Sequence, residues 1–146
     1  MRRVTENKFL QYESMLLGTV MFTFGFLKLF EPFRTWFHIQ ITESGLPPLS
    51  VPAGIAGEMC IGFSLLLASG LRAKIKGLFA PIVALASAGL MITMGVAIYV
   101  HLQPAVPARV LPLGLKPPLI PLSFMLLAGV NLLQARRDMS RARAAR

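Results

Sequence analysis

Residues 78–100 read LFAPIVALASAGLMITMGVAIYV and contain no charged side chain. A bilayer core about 30 Å thick is crossed by about 20 helical residues, so this run is long enough to span it as one helix. Three further apolar stretches cover residues 14–30, 52–69 and 119–133. Four such spans use roughly half of the chain and leave no room for a second folded domain. The sequence therefore predicts an all-α fold over residues 1–146, a single integral membrane four-helix bundle.

The overall composition agrees with this prediction. Hydrophobic residues make up 55% of the chain and charged residues 14%, whereas soluble domains average roughly 45–50% and about 25%. The first apolar stretch follows Arg2 and Arg3, as it would in a signal peptide, but no small-x-small cleavage site follows it. We therefore expect this stretch to be retained as the first span.

The basic residues lie unevenly along the chain, and their placement predicts an orientation. Eleven of the fifteen lysines and arginines flank the predicted spans on one side. The positive-inside rule places this side in the cytoplasm, so both termini are expected there, in a cell inner or plasma membrane. The eleven residues are Arg2, Arg3, Lys8, Arg72, Lys74, Lys76, Arg136, Arg137, Arg141, Arg143 and Arg146.

The net charge of +9 would also suit a protein that binds nucleic acid. However, the basic cytoplasmic tail at 134–146 contains no interleaved aromatic residue and no recognised nucleic-acid motif. We therefore expect the lipid bilayer, and not nucleic acid, to be the partner of these charges.

The two loops on the other side of the membrane differ in character. Residues 31–51 carry Phe33, Trp36 and Phe37 among polar residues, the spacing of a short helix in the membrane interface. Residues 103–118 hold five prolines, which remove backbone donors and favour extended chain. We expect a short helix in the first loop and a non-helical cover in the second.

Two charged residues lie inside the apolar stretches, Lys28 in the first and Glu58 in the second. An intramembrane charge costs about 2.5–3.5 kcal/mol at the bilayer centre, so each needs a partner or a function. Both are predicted at a similar depth near the outer face, and His101 closes the third span on the same side. The sequence predicts that these three residues form a polar cluster that binds a ligand or relays a proton.

Small residues share the helical faces of the two charges. Because small residues let membrane helices approach closely, five glycines on these faces are predicted to be helix-packing positions. Asn131 on the last span is expected to form a hydrogen bond between helices. The five glycines are Gly18, Gly25, Gly54, Gly57 and Gly62.

Each candidate also has a purely structural interpretation. Lys28 can extend its ammonium group to the outer headgroups, and Glu58 can form a buried ion pair with it and do nothing more. His101 can be an ordinary interfacial histidine. Cys60, the single cysteine, is expected to pack between helices, since no second thiol can resolve it. Two histidines far apart in sequence predict no metal site.

Three stretches resemble a known family. Residues 18–29 (GTVMFTFGFLKL) form a glycine-spaced apolar run that ends on lysine, and residues 56–72 (AGEMCIGFSLLLASGLR) lead from glutamate to Gly-Leu-Arg. The third span ends in Tyr99-Val100-His101. Over roughly residues 14–134 the chain resembles the DoxX-like family of small four-helix membrane proteins.

The resemblance implies a redox function in the membrane. Some DoxX-like proteins are subunits of a thiosulfate:quinone oxidoreductase, and others are partners in membrane oxidant-defence complexes. The polar positions that recur in the family match Lys28, Glu58 and His101. The sequence contains no thiol pair and no haem, flavin or metal motif, so we expect an oxidoreductase subunit and not a self-sufficient enzyme. The resemblance implies a quinone as the ligand and other membrane redox subunits as the partners.

Three functions are compatible with these features. In the first, the chain is a subunit of a membrane oxidoreductase, and the polar cluster binds a quinone headgroup or a small anion. In the second, it is a non-enzymatic accessory or assembly protein with Lys28–Glu58 as a structural clasp. In the third, disfavoured because Lys28 neutralises the carboxylate, it is a small proton-coupled transporter that uses Glu58. The sequence leaves the oligomeric state open.

Overall fold

The computed structural model describes residues 8–144, which form helices and turns without any strand. The predicted all-α fold is therefore confirmed over this part of the chain. Two short 3₁₀ turns, Ala108–Val110 and Pro112–Gly114, lie in the proline-rich loop. The α-helices are α1 (Lys8–Leu27), α2 (Phe33–Glu43), α3 (Ser50–Gly70), α4 (Lys76–Leu102) and α5 (Leu119–Ala144).

Three of the described helices, α3, α4 and α5, are long and apolar enough to cross a membrane. The remaining long helix, α1, has 20 residues and is thus about 30 Å long. Its first two turns carry the polar residues Lys8, Gln11 and Glu13, and α1 is not among the three helices that meet this criterion. The apolar part of α1 begins only after these polar residues.

The helix ends differ from the predicted span ends at two places. α1 stops at Leu27 because the next amides bond three residues back, from Leu29 to Phe26 and from Phe30 to Leu27, both at 3.0 Å. Lys28 therefore lies in the turn after α1 and not inside it. α5 continues beyond its predicted span through most of the basic tail, since residues 134–144 contain no glycine or proline to end it.

The four long helices pack in a ring. α1 lies against α3, α3 against α4, α4 against α5, and α5 against α1, which leaves α4 diagonal to α1. The outer surface exposes large apolar side chains such as Phe63, Leu85, Ile92 and Leu126, as expected for helices that face lipid. The ring encloses a core that includes Leu10, Leu17, Met21, Leu65, Val83 and Leu90.

α1 and α3 approach so closely that only glycine fits between them. A Cβ atom at position 62 would overlap the backbone nitrogen of Phe22 and lie 2.8 Å from the carbonyl oxygen of Gly18. One at position 18 would lie 2.9 Å from the carbonyl oxygen of Gly62, and one at position 25 would lie 2.8 Å from Cγ of Met59. Since overlap with backbone cannot be relieved by a rotamer change, these glycines fix the spacing of the two helices.

The other two glycines of the predicted packing faces lie elsewhere. A Cβ atom at position 54 would lie 2.8 Å from Cζ of Phe37, so Gly54 packs against α2 and not against another long helix. A Cβ atom at position 57 would have no neighbour within 4 Å. The expected contact at Gly57 is therefore absent, because its position is rotated away from both α1 and α2.

One end of the ring is covered by α2 and by residues 103–118, and we call it the cap end. Tyr99 donates a hydrogen bond to the carbonyl oxygen of Ser44 at 3.1 Å, and the Lys116 ammonium group donates to that of Val106 at 2.5 Å. The first bond connects the end of α2 to α4, and the second folds residues 103–118 on themselves. The two segments enclose a small apolar core of Val100, Val106, Val110 and Leu111, with Ile39 and Leu46 beside it.

The opposite end holds the start of α1, the turn from α3 to α4, and the basic end of α5, and we call it the tail end. The predicted helix in the first loop exists as α2, and Phe37 and Ile41 of its buried face pack against Val51. The predicted non-helical cover is broken by the two 3₁₀ turns, although the chain on either side of them stays extended.

Candidate functional site

Lys28 and Glu58 form an ion pair at the cap end. The Lys28 ammonium nitrogen lies 2.5 Å from Oε1 of Glu58, and the two side chains are only 18% and 10% exposed. Gly25 allows this contact, because a Cβ atom there would already lie 3.1 Å from Cβ of Glu58. The close α1–α3 approach thus brings the turn after α1 beside the middle of α3.

One hydrogen-bond acceptor of the ion pair has no donor. The Lys28 ammonium nitrogen also lies 3.9 Å from the ring centroid of Phe37, where the negative face of the ring stabilises the cation. Oε2 of Glu58 is buried and has no hydrogen-bond partner among the described residues. A buried carboxylate oxygen without a donor is costly, and Oε2 is the acceptor of this pair that no described residue uses.

A cavity of about 380 Å³ adjoins Lys28, between the turn after α1, the helix α2 and the start of α3. Both basic and apolar side chains line it. The basic part of the lining consists of Lys28, Arg34 and His38. The apolar part includes Leu29, Val51 and Ile55.

Arg34 and His38 were not predicted as site residues. They lie one turn apart on α2, and burial of Phe37 against Val51 turns both of them toward the cavity. Both are exposed, and no described residue accepts a hydrogen bond or an ion pair from either side chain. The i, i+4 spacing of two basic residues on a predicted amphipathic helix was the available signal.

His101 does not join Lys28 and Glu58. It is 4% exposed, and its Nδ1 lies 2.8 Å from the carbonyl oxygen of Ala97, one turn earlier in the same helix. No hydrogen bond or ion pair joins it to Lys28 or Glu58, and it does not line the cavity. The physical reason is the ring order, since α4 is diagonal to α1 and Lys28 lies at the end of α1.

The tail end contains a network of uncharged polar side chains that joins three helices. Asn131 of α5 donates hydrogen bonds to Ser14 of α1 at 3.1 Å and to Ser87 of α4 at 3.0 Å. All three residues are fully buried. The predicted helix–helix hydrogen bond of Asn131 is confirmed, and its two partners are now identified.

Glu13 lies directly before Ser14 and is the second buried carboxylate of the ring. It is 7% exposed, and neither carboxylate oxygen has a hydrogen-bond partner among residues 8–144. Sequence reasoning missed it because it precedes the first apolar stretch, where a charged residue usually meets water. Burial of Glu13 depends on how the neighbouring helices pack against this turn of α1, which periodicity does not reveal.

Other groups that could carry redox or metal chemistry are few in the described part of the chain. No three residues among its histidines, cysteines and acids lie close enough together to hold a metal ion. Cys60 is exposed on α3, so it does not pack between helices as predicted.

Comparison of the chain with protein-family models, with curated proteins and with solved structures gives no match. The resemblance of residues 18–29 and 56–72 to DoxX-like proteins therefore stays a prediction.

Proposed function

We propose that this chain is a four-span protein of the inner or plasma membrane and a subunit of a membrane redox system. Its ligand site lies at the cap end, which faces the outside, and takes a quinone headgroup or a small anion. The observation that carries the proposal is the Lys28–Glu58 pair, which has one unused acceptor and adjoins a cavity.

The fourth span in this proposal is α1. It packs against both α3 and α5, two helices apolar enough to cross a membrane, and its length of about 30 Å matches the bilayer core. Lys8 in its first turn is exposed at the tail end, where its ammonium group reaches the headgroups.

The orientation follows from the distribution of basic residues. Arg72, Lys74 and the arginines at the end of α5 all lie at the tail end. The positive-inside rule then assigns the tail end to the cytoplasm and the cap end to the outside.

The chemistry of the pair suits a redox ligand. The Lys28 ammonium group can donate a hydrogen bond to a ligand oxygen, and reduction of a quinone consumes protons that a neighbouring carboxylate can relay by accepting each proton and passing it on. Glu58 is the carboxyl group next to Lys28. The resemblance to DoxX-like proteins supports the redox class, because lysine and glutamate recur in that family at the positions of Lys28 and Glu58.

Quinone-coupled electron transfer in membranes that contain the protein tests the proposal. We expect Glu58→Gln to abolish this transfer, because it removes the proton carrier and leaves Lys28 without its counter-ion. Glu13→Gln is the matched control, since it makes the same change at the tail end, and it should retain the transfer. Full transfer with Glu58→Gln, together with purified protein that carries no quinone or anion, would contradict the proposal.

A second function, a non-enzymatic accessory or assembly protein, is favoured by the burial of the ion pair and by the Phe37 ring beneath Lys28. In that case the pair acts only as a clasp between α1 and α3. Lys28→Met should lower the folded yield, and Lys28→Met with Glu58→Met should restore it, because an apolar pair replaces a buried ion pair with little loss. Restored yield with restored partner assembly would favour the clasp, whereas restored yield without electron transfer favours the redox site.

A further inference from the structure

We infer that the cavity at the cap end binds an oxyanion group, such as a phosphate, attached to an apolar body. This inference rests on the proposed function, since it assigns the chemical class of the ligand to the same site. It is carried by the side chains that line the cavity and by their partners.

The basic part of the cavity lining carries more positive charge than the protein neutralises. Lys28 is paired with Glu58, but Arg34 and His38 have no acidic or acceptor partner among the described residues. Glu31, the nearest other acid along the chain, accepts the Thr35 amide hydrogen at 3.3 Å and forms no ion pair with Arg34. Because a guanidinium group is always charged and only donates hydrogen bonds, an oxyanion complements this wall better than a neutral carbonyl does.

The hydrogen-bond donors available to an oxyanion are side chains and not the backbone amides at the start of α3. The Ser50 and Val51 amides already donate to the carbonyl oxygens of Pro47 and Pro48, at 2.8 and 3.1 Å, and Pro52 has no amide hydrogen. The helix start therefore has no free donor to offer at these positions. Recognition then depends on Arg34 and His38, which substitution can remove.

The apolar part of the cavity lining determines the chemistry of the rest of the ligand. Leu29, Val51 and Ile55 line the cavity together with the basic side chains. The volume of about 380 Å³ is within the range of ligand sites, roughly 300–1,000 Å³. An anionic phospholipid headgroup and a free oxyanion share the chemistry that this wall recognises, and the experiment separates these two sources.

The fluorescence of Trp36, the single tryptophan, tests the inference, because this residue lies on α2 between Arg34 and His38. The full-length protein is reconstituted in phosphatidylcholine nanodiscs. Inorganic phosphate is titrated in one arm, and the phosphatidylglycerol fraction is raised in the other. We expect a saturable response, with its midpoint raised about tenfold or more by Arg34→Gln with His38→Gln, since the double variant removes the guanidinium charge and the imidazole from the cavity lining.

Arg109→Gln is the matched control, because Arg109 is an exposed arginine at the cap end outside the cavity, and its midpoint should equal that of the unmodified protein. Saturation with phosphate supports a soluble oxyanion, and saturation with phosphatidylglycerol alone supports a lipid headgroup. Absence of saturation in both arms, or equal midpoints for the double variant and Arg109→Gln, overturns the inference. Since Arg34 and His38 are exposed, both substitutions should leave the fold intact; if the double variant does not fold, Arg34→Gln alone should still raise the midpoint.

The inference and the proposed function fail separately. If the protein binds the oxyanion in this assay but shows no Glu58-dependent electron transfer, the oxyanion site is supported and the redox function is contradicted. If the protein binds a quinone and this binding does not change with Arg34→Gln and His38→Gln, the redox function is supported and the oxyanion site is contradicted.

Discussion

The two ends of the ring hold their buried polar groups in different ways. At the cap end Lys28 and Glu58 carry opposite charges, meet beside a cavity and leave one acceptor unused. At the tail end Ser14, Ser87 and Asn131 are uncharged and bond to one another across three helices. A neutral network of this kind joins helices. Buried polar side chains in this protein therefore form a candidate ligand site only at the end where they are charged, leave one acceptor unused and lie beside a cavity.

The two buried carboxylates sharpen the contrast. Glu58 has a cationic partner at 2.5 Å, whereas Glu13 has no partner among the described residues. An unpaired buried carboxylate destabilises the folded state. The same substitution should therefore have opposite effects on stability at the two ends.

The largest expected effect comes from the α1–α3 contact, on which the Lys28–Glu58 pair depends directly. Gly62→Ala should lower the free energy of unfolding by about 3 kcal/mol, because its methyl group overlaps the backbone of Phe22. Gly57→Ala is the control in the same helix, and it should cause no loss, since its methyl group meets nothing within 4 Å. Unfolding in a detergent titration measures both; equal stability of the two variants would show that α1 and α3 do not pack as described.

Asn131→Leu should have the next largest effect. It keeps the side-chain volume but leaves Ser14 and Ser87 without the amide donor, at a cost of about 2 kcal/mol. Addition of Ser14→Ala and Ser87→Ala should recover part of this loss, because no buried hydroxyl is then unpaired. The same titration measures both variants, and a triple variant less stable than Asn131→Leu would argue against the network.

Glu58→Gln should have a smaller effect on stability than Asn131→Leu. It should lower the free energy of unfolding by about 1 kcal/mol, since an amide still accepts a hydrogen bond from Lys28 but no longer neutralises it. Lys28→Met, which leaves a buried carboxylate unpaired, should cost more. If Glu58→Gln proved more stable than the unmodified protein, the pair would not contribute to the fold.

Glu13→Gln should have the smallest effect and the opposite sign. Removal of an unpartnered buried carboxylate should leave stability unchanged or raise it by up to about 1 kcal/mol. Thermal unfolding of Glu13→Gln and of Glu58→Gln in the same detergent shows directly whether each substitution lowers or raises the stability. A loss as large as that of Glu58→Gln would mean that Glu13 also has a charged partner, and the contrast between the two ends would disappear.

Features that depend on length and hydropathy were predictable from the sequence. The apolar runs at 52–69 and 78–100 correspond to α3 and α4. The similar depth predicted for Lys28 and Glu58 is confirmed by their ion pair. Depth along a helix follows from residue counting, because the rise per residue is constant.

Features that depend on which helices are neighbours were not predictable. His101 has a suitable depth but lies on the helix diagonal to α1, and Gly57 is rotated out of every contact that a Cβ atom could make. Arg34 and His38 line the cavity only because α2 folds back onto the start of α3. Helical periodicity shows which residues share a face, but not which neighbour that face meets.

Native mass spectrometry from a mild detergent tests most directly whether the cap end is the ligand site. The unmodified protein and Glu13→Gln should retain a bound small molecule, identified by its mass as a quinone or an anionic amphiphile. The variant with Lys28→Met and Glu58→Met should lose it, because the cavity then lacks the Lys28 ammonium group. A bound molecule retained equally by all three proteins, or absent from all three, would contradict the account.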